Sequence, residues 1–450
     1  MNAQPAALHT SDSIPIGQLI DSRPVSGLQK RVVALCSLAA FLDGYDVQAL
    51  GLAIPRMAAE FGVAPPAFAA AASGSLVGMA LGAMLLSPLA DRFGRRPMLI
   101  GMLLLMAVTT CGAAFATGTV DLAVWRVCCG LALGATVPIA IAITSEYAPA
   151  RRRAALVTLM ASCTAIGAFS GGLIAPWLDS NWGWRAIFGF GAVLPFAAAV
   201  LCYFALPESL RILLARRADT REIAKQIRHI APDFDATKLT PDARNVTQGA
   251  TLKALFTPAL RQRTTLLWVL FWINLFVNYS LISWLPTLLT QAGWDHASAS
   301  RASGVIALGG IVGSLVISSL ADRGKTLPAL VSGYLLATVV LALFVVAPEG
   351  KATWVVLLAL VGIGAFGSQI ALGSLTATYY PSEVRSTGVG WSSGVGRVGS
   401  FIGPLVLARL MTAGVTPSAI IGLLMVPMLI CVFCVTLLPR ALRTTQSTQT

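Results

Sequence analysis

Two aspartates, Asp43 and Asp46, stand three residues apart inside a stretch that is apolar and long enough to cross a membrane. That spacing places both side chains on one face of a helix. An ionised carboxylate at the centre of a bilayer costs about 2.5 kcal/mol or more, whereas burial and a second nearby carboxylate favour the protonated form of an acid. The pair is therefore a candidate site for binding a proton.

Arg126 stands at membrane depth in another apolar stretch, about five residues or roughly 8 Å from the start of its predicted span. Two interpretations are open: its side chain reaches back to the surface, or it pairs with an aspartate. Asp46 lies about 13 Å from Pro55, near the end of its own span. Those two span ends face the same side of the membrane, so the depths are compatible with an Asp46–Arg126 pair.

Arg397 lies deeper, near the middle of the predicted eleventh span and about twelve residues from either end. At that depth the side chain does not easily reach the surface, so the cation calls for an anion. The sequence leaves two candidates open, a carboxylate of the protein and the carboxylate of a bound substrate.

Aromatic and amide side chains in the spans complete a predicted cavity. Each alone is more often a packing or helix-to-helix hydrogen-bonding residue than a ligand contact. Together with Arg397 they suit a flat ring that bears one carboxylate and hydroxyl groups, because rings stack, a guanidinium binds an acid and amides bind hydroxyls. These residues are Tyr45, Asn274, Asn278, Trp284 and Gln369.

The elements that carry these residues are membrane helices. Of the 450 residues 56% are hydrophobic and 11% are charged, whereas a soluble domain has about 25% charged residues. Apolar runs of about 20 residues recur about twelve times, which predicts an all-α membrane protein with twelve transmembrane helices in two sets of six. The predicted order is a tail at 1–30, a bundle at 31–206, a central segment at 207–262 that begins as an amphipathic helix to about Ile230, a bundle at 263–438 and a tail at 439–450.

The net charge of +13 is distributed as a topology signal. Basic residues fall in alternate loops, and by the positive-inside rule both termini and the central segment are cytoplasmic. This placement argues against a nucleic-acid partner and leaves contact with lipid headgroups. The basic loop residues are Arg92, Arg95, Arg96, Arg151, Arg152, Arg153, Arg323, Lys325, Arg440 and Arg443.

Metal and cofactor sites are not predicted. The eight cysteines all fall within predicted spans, where thiols behave as small hydrophobes, and the three histidines fall outside the spans. A literal G-x-G-x-x-G at 394–399 lacks the strand that a nucleotide site needs before it. Its glycines instead favour close helix packing.

The two halves of the sequence repeat each other's loops. The segment 90–97 after span 2 is similar to 321–325 after span 8, and 146–153 after span 4 is similar to 380–385 after span 10. Matching loops at matching positions indicate an internal duplication, which is how many secondary transporters are built.

The loop at 90–96, Ala-Asp-Arg-Phe-Gly-Arg-Arg, resembles the signature between helices 2 and 3 of the major facilitator superfamily, and the resemblance extends over 31–438. It implies the major facilitator fold of two pseudo-symmetric six-helix bundles. In that family the aspartate caps a neighbouring helix and the arginines hold the cytoplasmic gate in one of its states; the alternative is that these charges only set the topology. The implied gating residues are Asp91, Arg92, Gly94, Arg95 and Arg96, with Asp322 and Arg323 in the second half.

Five further motifs resemble one branch of that superfamily, the aromatic acid:proton symporters. They are Asp43-Gly44-Tyr45-Asp46, Ser145-Glu146-Tyr147, 283–286, 385–389 and Gly396-Arg397. Members of the branch import benzoate-type acids such as 4-hydroxybenzoate, protocatechuate, gentisate and hydroxyphenylpropionate. The resemblance implies a bacterial inner membrane and an aspartate pair that transport requires. The predicted proton-coupling residues are Asp43, Asp46, Arg126 and Glu146, and the predicted substrate-binding residues are Arg397, Tyr45, Asn274, Asn278, Trp284 and Gln369.

The sequence thus predicts a monomeric importer, not an enzyme, that carries an aromatic carboxylate together with a proton. In the expected cycle Asp46 takes the proton outside, the substrate docks on Arg397, and the halves rock about the central site. The alternative is a proton-linked transporter, antiporter or exporter of another organic anion. A carrier of neutral solutes, a membrane enzyme and a channel are disfavoured.

Overall fold

The computed structural model describes residues 14–215, 223, 226–227, 230, 239–240, 252–258, 260–346, 350–380 and 384–446. This part of the chain contains twelve helices that are long and apolar enough to cross a membrane. A two-residue strand, Ile14–Pro15, pairs in parallel with a second, Leu239–Thr240, outside the helical body. The predicted class, an all-α protein with twelve spans, is therefore confirmed.

The spans are numbered here in chain order. In the first half, spans 1 to 6 are Gly27–Phe61, Pro65–Leu86, Arg95–Ala114, Thr119–Tyr147, Ala150–Trp182 and Arg185–Ala205. In the second half, spans 7 to 12 are Arg261–Gln291, His296–Leu320, Thr326–Val346, Lys351–Gly373, Thr387–Thr412 and Pro417–Leu438. Short helices at Ile16–Ser22, Leu89–Phe93 and Leu210–Ala215 lie between or before them.

Span 1 shows how the sequence sets the ends of a helix. Ser26 Oγ accepts a hydrogen bond from the Gln29 backbone N–H, and Gln29 Oε1 accepts one from the Ser26 N–H, which forms a capping box. Gly62, at φ 66°, ends the helix in the left-handed conformation that glycine adopts without strain. The helix between these caps is 35 residues long, so it carries the aspartate pair well inside the bundle.

Glycine brings span 1 against span 5 at the level of the aspartate pair. A Cβ at Gly44 would collide with the backbone carbonyl of Thr164, and a Cβ at Gly167 would collide with that of Phe41. Gly44 lies in continuous helix, so its role at this position is close packing of two helix backbones. That packing fixes where the carboxylates on either side of Gly44 point.

The two halves meet at the ends of the spans that are joined by short, weakly basic loops. Span 5 crosses span 8 where a Cβ at Gly172 would lie 2.8 Å from the Cα of Gly304. Span 1 crosses span 7 where a Cβ at Gly51 would lie 3.0 Å from the carbonyl oxygen of Ser283. Spans 2 and 11 also pack together across this boundary. At this end the two halves are closed against each other.

A charged cluster lies at the same closed end. Asp179 at the end of span 5 pairs with Arg56 of span 1, with 2.9 Å between Oδ2 and Nε. His296, the first residue of span 8, places its Nε2 3.6 Å from the same carboxylate oxygen. Asp179 therefore links spans 1 and 5 of the first half and faces a histidine of the second half.

The central segment is described only in part. Leu210–Ala215 is helical, and four later helical residues, Ile223, Gln226, Ile227 and Ile230, are all buried at the spacing of one helix face. The isoleucines among them belong to an apolar cluster with residues of the first half. Most of the predicted linker that follows lies outside the described residues.

Candidate functional site

A cavity of about 340 Å³ lies between the two halves and is lined by both. Spans 1 and 5 form its wall on one side, and spans 7, 8, 10 and 11 form it on the other. Its polar and charged lining includes Asp43, Gln48, Asn278, Tyr279, Gln369 and Arg397. Residues from both halves of the chain thus converge on one cavity.

Asp46 does not line this cavity, because it is held in a buried ion pair with Arg126. The distance between Arg126 Nη1 and Asp46 Oδ2 is 2.8 Å, and the two side chains are 1% and 0% exposed. Of the two interpretations that the sequence left open for Arg126, the structure shows the pair with Asp46 and not the surface-reaching side chain.

Hydroxyl groups from two other helices complete that ion pair. Thr110 Oγ1 of span 3 donates to Asp46 Oδ1 at 3.0 Å, and Arg126 Nε donates to Ser75 Oγ of span 2 at 2.9 Å. The thiol of Cys129 lies 3.4 Å from the other carboxylate oxygen. Both oxygens of Asp46 are therefore engaged, as a buried charge requires.

Asp43 has different surroundings. Its side chain is 3% exposed and lines the cavity, yet its buried Oδ1 has no hydrogen-bond partner among the described residues. The charged groups that act on it are Asp46 on its own helix and Arg397 of span 11. Asp43 is the carboxyl group of the pair that faces the cavity.

Arg397 carries the positive charge of the cavity. Its backbone carbonyl accepts a hydrogen bond from Ser400, while its guanidinium makes no ion pair within 4 Å of any carboxylate that the structure describes. The two intramembrane arginines therefore differ: the charge of Arg126 is neutralised by a protein carboxylate in contact, and that of Arg397 is available to an anion in the cavity.

The amide of Asn278 is oriented by a chain of hydrogen bonds. Asn274 Nδ2 donates to the backbone carbonyl of Ala365 at 3.1 Å, which fixes Asn274 Oδ1 as the acceptor for Asn278 Nδ2 at 3.2 Å. Asn278 Oδ1 is then left as a buried acceptor without a partner in the described chain, and so is Oε1 of Gln369. Both residues line the cavity.

Three residues predicted to bind substrate do not line the cavity, so their part in substrate binding stays a prediction without a wall contact. Tyr45 is 1% exposed and its hydroxyl donates to the carbonyl of Ile187 in span 6 at 2.9 Å. Trp284 is fully buried and its indole Nε1 donates to the carbonyl of Pro404 in span 11 at 2.9 Å. Asn274 reaches the cavity only through Asn278. Their polar atoms hold helices together because buried N–H and O–H groups need acceptors.

The loop between spans 2 and 3 forms a second cluster at the end of the molecule that carries the basic loops. The backbone N–H groups of Arg95 and Arg96 donate to Glu208 Oε1 at 3.0 and 3.2 Å, so Glu208 caps the start of span 3. Gly94 has φ 105°, and a Cβ there would collide with the Glu208 carboxylate. Glu208 was not predicted as part of this site.

Glu146 belongs to this second cluster and not to the aspartate pair. Its Oε1 lies 2.6 Å from Arg95 Nη1, and its other oxygen accepts a hydrogen bond from Ser209. About twenty residues of span 4, or roughly 30 Å, separate it from Arg126. Glu146 therefore does not contact Asp43 or Asp46, and its role in proton coupling stays a prediction.

Of the other predicted gating residues, two arginines lie over aromatic rings and one is exposed. The guanidinium of Arg92 lies over the ring of Phe93, and that of Arg96 over the ring of Tyr203, each at 5.6 Å. Arg323 is exposed. The side chains of Asp91 and Asp322, including the predicted helix cap, lie outside the described part of the chain.

Residues 36–404 match the family model of the Major Facilitator Superfamily. The chain belongs to this superfamily. The facilitator is similar over 92% of its length to a gallate transporter of Pseudomonas putida, at 32% identity and 92% coverage of that protein. It is 34% identical to the 4-hydroxybenzoate transporter PcaK of Pseudomonas putida, over 92% of this chain and 93% of that one.

The fold of the facilitator is that of solved members of the superfamily. The inward open structure of the xylose transporter XylE from E. coli aligns with a TM-score of 0.68 at 16% identity, covering 90% of this chain and 95% of that one. The twelve-helix arrangement and the superfamily resemblance are thereby confirmed, and the protein is a multi-pass membrane transporter and not an enzyme. The resemblance to transporters of aromatic acids is confirmed by the relatives.

Proposed function

We propose that this facilitator imports a hydroxylated aromatic carboxylate together with a proton across the bacterial inner membrane, with both termini in the cytoplasm. The observation that carries the proposal is Arg397, a cation in the wall of a central cavity with no carboxylate of the described chain in contact. Two relatives that transport gallate and 4-hydroxybenzoate support it. We propose that the monomer is the transporting unit.

The cavity suits a molecule with one aromatic ring. A guanidinium binds a carboxylate through two parallel hydrogen bonds, so Arg397 would hold the acid end. Leu275, Ile306 and Phe366 supply apolar wall for the ring. A volume of about 340 Å³ lies within the range of small-molecule sites and leaves room for ring substituents.

The unpartnered acceptors of the wall favour ring hydroxyls over a bare ring. Asn278 Oδ1 and Gln369 Oε1 lack donors, and a buried acceptor left unpaired costs about 1–3 kcal/mol. A phenolic hydroxyl supplies the missing donor, whereas the benzoate anion has no hydrogen-bond donor. Because the Ala365 carbonyl and Asn274 fix the orientation of Asn278, this acceptor cannot turn to present its N–H₂ group without losing a hydrogen bond.

Wild-type protein is expected to bind 4-hydroxybenzoate or 3,4-dihydroxybenzoate about tenfold or more tightly than benzoate. In Asn278→Leu the ratio is expected to fall towards one, because the acceptor that reads the hydroxyl is gone. Competition against uptake of labelled 4-hydroxybenzoate in cells that express the protein measures both affinities.

Ser162→Ala is the matched control for this prediction. Ser162 also lines the cavity, but its hydroxyl already donates to the Thr158 carbonyl at 2.8 Å, so its removal should leave the ratio unchanged. Equal affinity of the wild type for benzoate and its hydroxylated forms would contradict hydroxyl recognition. Uptake of none of these acids, with export or exchange of another organic anion instead, would contradict the proposed function.

A further inference from the structure

We infer that Asp43, and not Asp46, is the carboxyl group that takes up and releases the coupled proton, because Asp43 shares Arg397 with the carboxylate of the substrate. The assignment rests on the proposed function, since it needs an anionic substrate at Arg397. It reverses the expectation from sequence, which gave the proton to Asp46 on account of its position nearer the outer end of span 1.

Asp46 is fully occupied by the protein. Its oxygens receive Arg126 at 2.8 Å and Thr110 at 3.0 Å, and its side chain is completely buried away from the cavity. A proton on Asp46 would displace a charge-assisted hydrogen bond and leave Arg126 as an unpaired buried cation, which costs several kcal/mol. Asp46 is therefore committed to a buried ion pair within the first half, and its oxygens do not face the cavity.

Asp43 has the opposite arrangement. It is at the cavity wall, where both the proton and the substrate can reach it, and its Oδ1 has no partner in the described chain. The titratable or charged groups that face it are Asp46 on span 1, Tyr279 on span 7 and Arg397 on span 11. Span 5 packs against span 1 at the neighbouring Gly44, through the backbone of Thr164. Its described residues contribute no titratable group to the cavity wall.

Charge balance in the cavity then couples the two cargoes. Without substrate, ionised Asp43 and Arg397 sum to zero, and Asp46 and Arg126 sum to zero separately. A substrate carboxylate on Arg397 adds one negative charge in a site of low dielectric, where an uncompensated charge is costly. One proton from the outer aqueous phase, bound to Asp43, restores neutrality.

On the cytoplasmic side the same charge balance favours release of the proton. When the substrate anion leaves, Arg397 is again free to stabilise ionised Asp43, and the proton dissociates from Asp43 into the cytoplasm. Each cycle moves one substrate anion and one proton, and no covalent bond other than the O–H bond at Asp43 forms or breaks. The ion pair of Asp46 and Arg126 keeps its charge state throughout.

Calorimetry of 4-hydroxybenzoate binding to the purified full-length protein tests this assignment. At pH 7 the binding enthalpy is measured in buffers of different ionisation enthalpy, and its dependence on the buffer counts the protons taken up. Wild-type protein is expected to take up about one proton per substrate. Asp43→Asn is expected to bind with no proton uptake, and its affinity should no longer change with pH.

The second aspartate provides the comparison. Because Asp46→Asn alone leaves Arg126 unpaired and risks misfolding, the double variant Asp46→Leu/Arg126→Met, which removes the pair together, is measured beside it. Either variant, Asp46→Asn or Asp46→Leu/Arg126→Met, is expected to retain uptake of about one proton if it folds. Proton uptake that persists in Asp43→Asn, or that disappears when the Asp46 pair is removed, would overturn the assignment alone. Absence of binding of any hydroxybenzoate to the wild type would instead overturn the proposed function.

Discussion

Arg397→Gln is expected to reduce the uptake rate of a hydroxybenzoate at low concentration by about a hundredfold or more. Removing one partner of a buried charge pair costs about 2–5 kcal/mol, and about 2.7 kcal/mol is a factor of a hundred. Glutamine keeps much of the volume and part of the hydrogen-bonding capacity of arginine, so the loss measures the charge. Initial rates of labelled uptake, corrected for the amount of protein in the membrane, give the result.

Two variants control this experiment. Arg397→Lys keeps the charge but loses the two-pronged geometry, so it should retain more uptake than glutamine does. Arg409→Gln changes an exposed arginine near the end of the same helix and should leave uptake unchanged. Normal uptake by Arg397→Gln would mean that the substrate is neutral or binds its acid end elsewhere.

Breaking the Asp46–Arg126 pair is expected to give the largest loss of stability. Asp46→Leu or Arg126→Met alone leaves one uncompensated charge inside the bundle, at a cost of about 3–5 kcal/mol. The double variant Asp46→Leu/Arg126→Met removes both charges and replaces them with apolar groups, so it should recover most of that loss. Melting temperatures of the detergent-solubilised proteins measure the cycle.

Asp43→Asn is the internal control for stability. Asp43 stands three residues away on the same helix but has no ion pair within 4 Å in the described structure, so its replacement should change the melting temperature little. Destabilisation of the double variant by the sum of the two single effects would contradict the account, since additivity means that the two charges do not interact.

Much of the fold was predictable from the sequence because hydropathy and charge placement are local signals. The Asp46–Arg126 pair was predictable as well, since the depth of each residue follows from counting along its helix. The sequence could not separate Tyr45 and Trp284 from cavity residues. A buried aromatic side chain whose polar tip meets a carbonyl has the same composition and period as one that faces a ligand.

Partners from distant parts of the chain explain the remaining differences. Depth along span 1 favoured Asp46 as the proton carrier, but the structure places Asp46 against Arg126 and Thr110, and Arg126 against Ser75. Thr110 and Ser75 are small hydroxyl residues that are ordinary in apolar helices. Glu208 caps the start of span 3 from more than a hundred residues away, and no local pattern marks it. No local pattern marks the chain of hydrogen bonds that orients Asn278 either.

Accumulation of labelled 4-hydroxybenzoate in proteoliposomes tests the central claim most directly. With an alkaline interior and no membrane potential, coupling of one proton to one anion predicts protein-dependent accumulation of about tenfold per pH unit. The initial rate should exceed that of protein-free liposomes, which report passive entry of the neutral acid, and a protonophore should abolish the accumulation. A protein-dependent rate that is the same with and without the pH gradient would contradict proton-coupled import of an aromatic carboxylate.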